Sequence, residues 1–348
     1  MQVSIISKTL KSFSHFCMLF IEDHHFHYGY FLYASAIMAK LDPTFIDRFG
    51  GHVDALFHDI AHHSNGNSQQ SEFNGIFFPM SRHKSWFDGH SFATGLFPAG
   101  NGKSQESSSE AINCYYGAYL WSLIRHDEIA SDVTDFSHLL LSTEIRSAKM
   151  YWHMLPPSVT GKNTSLHKHI YPPEFEENYM VGNVGMLDAT ANTWFGNDPL
   201  YVHMINCIPI TAISNILFEE DYVKYEYPFL MKNRSSVEMA WRGYTVSVHS
   251  IIDPNKAWED ASALVSNMLD SALSKSQVLY FISQQSGFNV TLDSDTTNQK
   301  INGSNRIEPL SQPTSSSSCE SNVGCAELNL TGTCCPTLKG ISLGCCSK

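Results

Sequence analysis

The sequence predicts a mainly α-helical protein, and three observations carry that prediction. Hydrophobic residues make up 43% of the 348-residue chain and charged residues only 16%, which is enough apolar surface for a substantial core. In "FEEDYVKYEYPFLM" (218–231) and "NKAWEDASALVSNMLDSALSKS" (255–276) apolar residues recur at spacings of three and four, the helical period. Strand-like alternation is scarce, and "YTVSVHSII" (244–252) is the main stretch that reads either way.

Helix-like segments follow in order at 27–40, 43–63, 106–126, 130–153, 209–222, 235–250 and 255–284, separated by Gly/Pro/Asn-rich loops. The third has an evident start: Asn101 or Ser104 can cap it, and acidic residues in a first turn complement the helix dipole. Residues 1–289 read as one globular domain. Residues 290–318, ending in "TSSSS", have the polar composition of a linker. Six of the nine cysteines, Cys319, Cys325, Cys334, Cys335, Cys345 and Cys346, crowd into 319–348. An even count at that density predicts a small disulfide module and an oxidising compartment. Zinc is the rival reading, but the paired cysteines lack the usual C-x₂₋₄-C spacing and no histidine lies near.

A formal net charge of −12 and no basic run longer than "RHK" (82–84) argue against nucleic acid as a partner. A neutral polymer remains open, and the 21 Phe, 15 Tyr and 6 Trp suit sugar rings. No apolar stretch is long enough to span a membrane. Five N-x-S/T sequons, at Asn163, Asn233, Asn289, Asn302 and Asn329, agree with secretion, although residues 1–30 make a poor signal peptide.

Three stretches hold the chemistry. "NGKSQESSSEAINCYYGAYLW" (101–121) sets Glu106 and Glu110 four apart with three serines between them. On a helix both carboxylates would share a face, at a cost of a few tenths of a kcal/mol. The plainer alternative makes them first-turn helix charges beside core aromatics. "EDHHFHYGYF" (22–31) places Asp23 and His27 one turn apart, and "HDIAHH" (58–63) spaces His58 and His62 likewise, which also invites a metal reading. "SRHKSWFDGHSFATGLF" (81–97) combines Trp86, Asp88 and His90 in a loop too polar for core and too aromatic for plain surface.

Together "DHHFHYGYFLYASAIMAKLDP" (23–43), "WFDGHSFATGLFPAGNGKSQESSSEAINCYYGAYLW" (86–121) and "NVGMLDATANTWFG" (183–196) resemble glycoside hydrolase family 81, the endo-β-1,3-glucanases, with "CIPIT" (207–211) a weaker match. The resemblance covers about residues 22–285. It implies an (α/α)6 toroid, hydrolysis of internal β-1,3 bonds with inversion, a β-1,3-glucan partner, and neither metal nor cofactor. Family members usually carry further domains and helices ahead of the first motif, so an N-terminally incomplete toroid is also expected. Runner-up readings are a glucan-binding remnant without turnover and a histidine-site metalloenzyme.

By the resemblance, Asp23 is the acid, and Glu106 and Glu110 supply the base and its partner, with Glu106 favoured as base. His27 would hold the Asp23 carboxyl group. Trp86, Tyr115 and Tyr116 are candidates to stack on glucosyl rings, and Asp88, His90, Lys103 and Asn113 complete the expected binding set. The chain departs from the family at His58 and Ser85, where Arg and Asp are usual, and in the 101–107 run, which keeps Glu106; no departure replaces a proposed carboxylate.

Overall fold

The computed structural model describes residues 23–63, 78–93, 102–125, 131–160, 169–233 and 238–289. The expected linker, the cysteine module and residues 1–22 lie outside them. Helices dominate: α1 (His24–Leu41) and α2 (Thr44–Ala61) are followed by a two-residue strand β1 (Ser104–Gln105). Then come α3 (Ser108–Ile124), α4 (Ser131–Tyr151), and the short turns α5 (Pro157–Thr160) and α6 (Pro173–Glu176). Strands β2 (Asn183–Gly185) and β3 (Ala189–Thr190) precede α7 (Pro199–Ile205), α8 (Ser214–Leu217) and α9 (Glu220–Lys232). The described part ends with α10 (Glu238–His249), α11 (Pro254–Ser262), a 3₁₀ turn (Ser266–Met268) and α12 (Lys275–Ser283).

Helices α1 and α3 pack most intimately, because two glycines let their backbones approach. A methyl group at Gly29 would stand 2.6 Å from the Cys114 Cα, and one at Gly117 would stand 2.7 Å from the Tyr33 nitrogen. Around them one continuous core holds Trp121, Trp152, Tyr115, Tyr222, Phe57 and Phe218, all fully buried. Cys114 and Cys207 are buried free thiols within it.

One ambiguity is resolved, and the expected helices at 209–222 and 255–284 are each broken. The ambiguous 244–252 stretch is mostly helix α10. Its alternation misleads because Thr245 and Ser247 are as buried as Val246 and Val248. Their hydroxyls bond to the Arg242 and Gly243 carbonyls at 2.9 and 2.8 Å, so the helix satisfies them internally. The single helix expected at 255–284 is two. Asp270 accepts the Ala272 N–H at 2.9 Å, turning the chain, and the Ser274 hydroxyl then caps α12 by accepting the Gln277 N–H.

The three strands form one antiparallel sheet in the order β1–β2–β3, with Gln105 opposite Val184 and Asn183 opposite Thr190. The sheet is small, but it fixes the approach to α3 and the loop that follows β3. Among the described residues no helix is long and apolar enough to cross a membrane.

Candidate active site

The two glutamates do not share a helix. Helix α3 begins at Ser108, so Glu110 lies in its first turn while Glu106 lies in the link from β1. The intervening serines explain how that link is held. Ser107 Oγ donates to the Ile205 carbonyl at 2.9 Å, and Ser108 donates through both its N–H and its Oγ to Asn206 Oδ1, at 3.0 and 2.8 Å. Ser109 Oγ donates to the Ile208 carbonyl. The Ser108 N–H, which would otherwise lack a partner at the start of α3, is thus bonded to the residue that caps α7, and the glutamates flank this anchored turn.

Each glutamate has its own donor. Trp194 Nε1 donates to Glu106 Oε1 at 2.6 Å, and Tyr30 Oη donates to Glu110 Oε1 at 2.8 Å. Glu106 Oε2 is buried and accepts no hydrogen bond from any described residue. Burial pushes Glu106 up to about 7; the charges of Asp23 and Glu110 add to this, and the Trp194 bond opposes it. Glu110 is likewise pushed up to about 7 by burial, with Ser107 and Tyr30 opposing and Asp23 adding. The Tyr30 phenol is driven far above its ordinary range by burial and by Glu110, so it stays a donor. Asp23, Glu106 and Glu110 therefore form one electrostatically coupled group.

Asp23 precedes α1 in a left-handed conformation (φ 63°), which aspartate tolerates better than most residues. Its N–H donates to the Ala93 carbonyl at 3.1 Å, and its own carbonyl accepts the His27 N–H at 3.0 Å. His27 thus shares the first turn with Asp23.

The remaining predicted residues divide. Trp86 is half exposed, with its ring 5.9 Å from that of Phe136, and Tyr116 is partly buried, 5.8 Å from Tyr33. The Lys103 carbonyl accepts the Met186 N–H at 3.0 Å, so its backbone belongs to the sheet edge. Asp88 accepts the Ser85 hydroxyl at 2.8 Å and its carbonyl accepts that of Ser147, which makes it part of a tight turn. His90 is buried, with Nδ1 donating to the Ser91 carbonyl at 2.8 Å. Asn113 is also buried in α3. Tyr115 is corrected outright as a sugar-stacking residue: it is fully buried, its ring lying 5.1 Å from the Lys84 ammonium.

The sequence reading missed Trp194, which is 80% exposed and touches Glu106. Its signal was present in "ANTWFG". Gly182, from the preceding stretch, lies so close to the Asn192 backbone that a side chain would not fit, and Thr193 and Gly196 pair their backbones around Trp194. The histidines find other work: Arg82 donates to both His24 Nδ1 and Asp59 Oδ2, at 2.6 and 2.8 Å. Among the described residues no three His, Cys, Asp or Glu side chains converge as a metal-ligand set.

Comparison with known proteins bears on this arrangement. Residues 3–279 match the family described as the glycosyl hydrolase family 81 C-terminal domain. The chain is 28% identical over 284 residues to the primary septum glucan endo-1,3-beta-D-glucosidase of Schizosaccharomyces pombe, covering 80% of this chain and 26% of that protein. It is 30% identical over 241 residues to a glucan endo-1,3-beta-D-glucosidase of Acetivibrio thermocellus, covering 68% and 28%. A solved structure of glycoside hydrolase family 81 from Clostridium thermocellum aligns with a TM-score of 0.59 at 26% identity, over 75% of this chain and 34% of that one. The chain spans about a quarter to a third of the length of these proteins. The helical fold is of the (α/α)6 toroid class expected from the resemblance. This chain belongs to glycosyl hydrolase family 81.

Proposed function

We propose that the chain hydrolyses internal β-1,3-glucosidic bonds of a β-glucan by a single displacement that inverts the anomeric carbon. The observation that carries this reading is the state of Glu106. One of its carboxylate oxygens is held by Trp194, the other meets no described donor, and its pKa is raised to about 7. A carboxylate so held and so poised suits a general base working near neutrality. Glu110, bonded to Tyr30 and flanked by Ser107, raises the proton affinity of Glu106 by its charge.

Asp23 takes the part of the acid. As the bond breaks, its proton passes to the leaving glucosyl oxygen. Glu106 takes a proton from the attacking water on the opposite face, and that water's oxygen bonds to the anomeric carbon. Inversion requires the two carboxyl groups to stand roughly 6.5–9.5 Å apart so that water fits between base and sugar. The exposed Trp194, hydrogen-bonded at the same site, offers an aromatic face to a glucosyl ring, and Trp86 and Tyr116 are further stacking surfaces. The glucan reading is supported by the printed names of the relatives, which are glucan endo-1,3-beta-D-glucosidases. Secretion to the extracellular space or cell wall is part of this reading, supported by the sequons and the cysteine-rich tail of the sequence.

Incubating the chain with laminarin and measuring reducing ends, with and without chelator, tests the assignment. Wild type should release sugar in both conditions. Asp23→Asn, Glu106→Gln and Glu110→Gln should each stay folded and lose two or more orders of magnitude in turnover. Binding without release would sink the reading, and chelator-sensitive release would point to the histidines instead.

A further inference from the structure

Asn206 caps the end of α7, is fully buried, and has every hydrogen-bonding group of its amide in use. Its Oδ1 accepts twice from Ser108, from the N–H at 3.0 Å and from the hydroxyl at 2.8 Å. Its Nδ2 donates twice, to the Val202 carbonyl at 2.9 Å and to the Val181 carbonyl at 3.4 Å. An asparagine amide offers two donor hydrogens and two acceptor lone pairs, so nothing is left over. The partners also fix which way round the amide sits, since an N–H requires the oxygen and two carbonyls require the nitrogen.

Those partners belong to three segments around the site. Ser108 opens α3, two residues after Glu106 and two before Glu110. Val181 leads into β2, and the chain leaving β3 carries Trp194 to its bond with Glu106. Val202 belongs to α7, which is itself anchored. The buried His203 ring bridges Glu226 Oε1 at 2.7 Å and the Asn178 carbonyl at 3.0 Å. Asn206 thus stands between an anchored helix and the two segments that hold Glu106.

Few side chains could replace it. A leucine of similar size would leave the Ser108 N–H and hydroxyl without their acceptor, and buried donors left unbonded are costly. An aspartate would keep that acceptor but face the two carbonyls with an oxygen.

We propose that Asn206 is a positioning residue: by holding Ser108 against α7 and the Val181 segment, it sets where Glu106 and Glu110 stand in the site. The inference rests on the carboxylate roles proposed above. A misplacement of about 1 Å in such a site is worth on the order of 10²-fold in rate.

The test measures kcat and KM on laminarin, each at its optimal pH, for wild type, Asn206→Leu, Asn206→Asp and Ser108→Ala, with thermal melts alongside. Asn206→Leu should fold with a lowered melting temperature, KM within about twofold of wild type and kcat lowered on the order of 10- to 100-fold. Asn206→Asp still accepts from Ser108 but loses both donors. It should also melt at a lower temperature, yet keep kcat within about fivefold of wild type. A rate that follows the Ser108 contact, while the melting temperature does not, separates positioning from plain stabilisation. A folded Asn206→Leu with unchanged kcat, or an Asn206→Asp as slow as Asn206→Leu, overturns the inference. Should Asn206→Leu not fold, Ser108→Ala decides. A kcat lowered about 3- to 10-fold at unchanged KM upholds the inference, and an unchanged kcat overturns it. Wild type inert on laminarin would instead overturn the carboxylate roles, and this inference with them.

Discussion

Tyr30 on α1 donates its hydroxyl to Glu110 Oε1 on α3 at 2.8 Å, across 80 residues of sequence. That bond ties the first turn of the glutamate-bearing helix to the helix that Asp23 begins. Tyr30→Phe keeps the ring and removes the donor. Hydrogen bonds to charged groups are worth about 1.5–3 kcal/mol. The melting temperature should therefore fall, and turnover on laminarin should drop roughly 10- to 100-fold, as a thermal melt and steady-state kinetics will show.

Trp194→Phe keeps an aromatic face and removes the hydrogen bond that opposes the raised pKa of Glu106. Without that bond the Glu106 pKa rises further above about 7. A base must be deprotonated to act, so the acid limb of kcat/KM should move to higher pH. The variant should lose more activity at pH 6 than at pH 8. An unmoved limb would show that another group governs it.

Stability carries the same signature with the opposite consequence. Glu106 has a folded pKa of about 7 against an ordinary 4.5, so the folded state binds its proton more tightly than the unfolded state does. The resulting stability is fully present below about pH 4.5 and is lost as pH rises through 7. Glu106→Gln removes that dependence. Its stability relative to wild type should grow from pH 4.5 to 7 by about 1–3 kcal/mol and then level off. Denaturant midpoints across that range would reveal it.

Gly117→Ala would press a methyl group to 2.7 Å from the Tyr33 backbone nitrogen, where α1 and α3 touch. Overpacking of this kind costs about 1–3 kcal/mol. Because the same two helices carry Tyr30 and Glu110, activity should fall along with the melting temperature. Gly51→Ala, on α2 with nothing within 4 Å of the added carbon, is the control and should be neutral or slightly stabilising.

Much of the site was legible because its residues sit together in sequence. "QESSSE" announced two acids and a helix start, and the structure assigns the serines to the Ile205 and Ile208 carbonyls and to Asn206. What sequence could not show is which neighbours are brought in from afar. Tyr115 and Tyr116 are chemically alike and adjacent, yet one lies in the core and the other is partly open, a difference set by which face of α3 meets α1 and α4. Trp194 meets Glu106 across 88 positions through a small sheet whose strands are two or three residues long, too short to leave a periodic signal. Thr245 and Ser247 read as polar punctuation because their partners are carbonyls of their own helix.

The central claim is a two-carboxylate displacement with inversion, and the configuration of the first product tests it most directly. Proton NMR of laminarin digested by this chain should show the α-anomer of the new reducing end appearing first and then mutarotating toward equilibrium. With Glu106→Gln that signal should be lost while the protein remains folded. A β-anomer as the initial product would require a covalent intermediate on a carboxylate, and would contradict the roles given to Asp23 and Glu106.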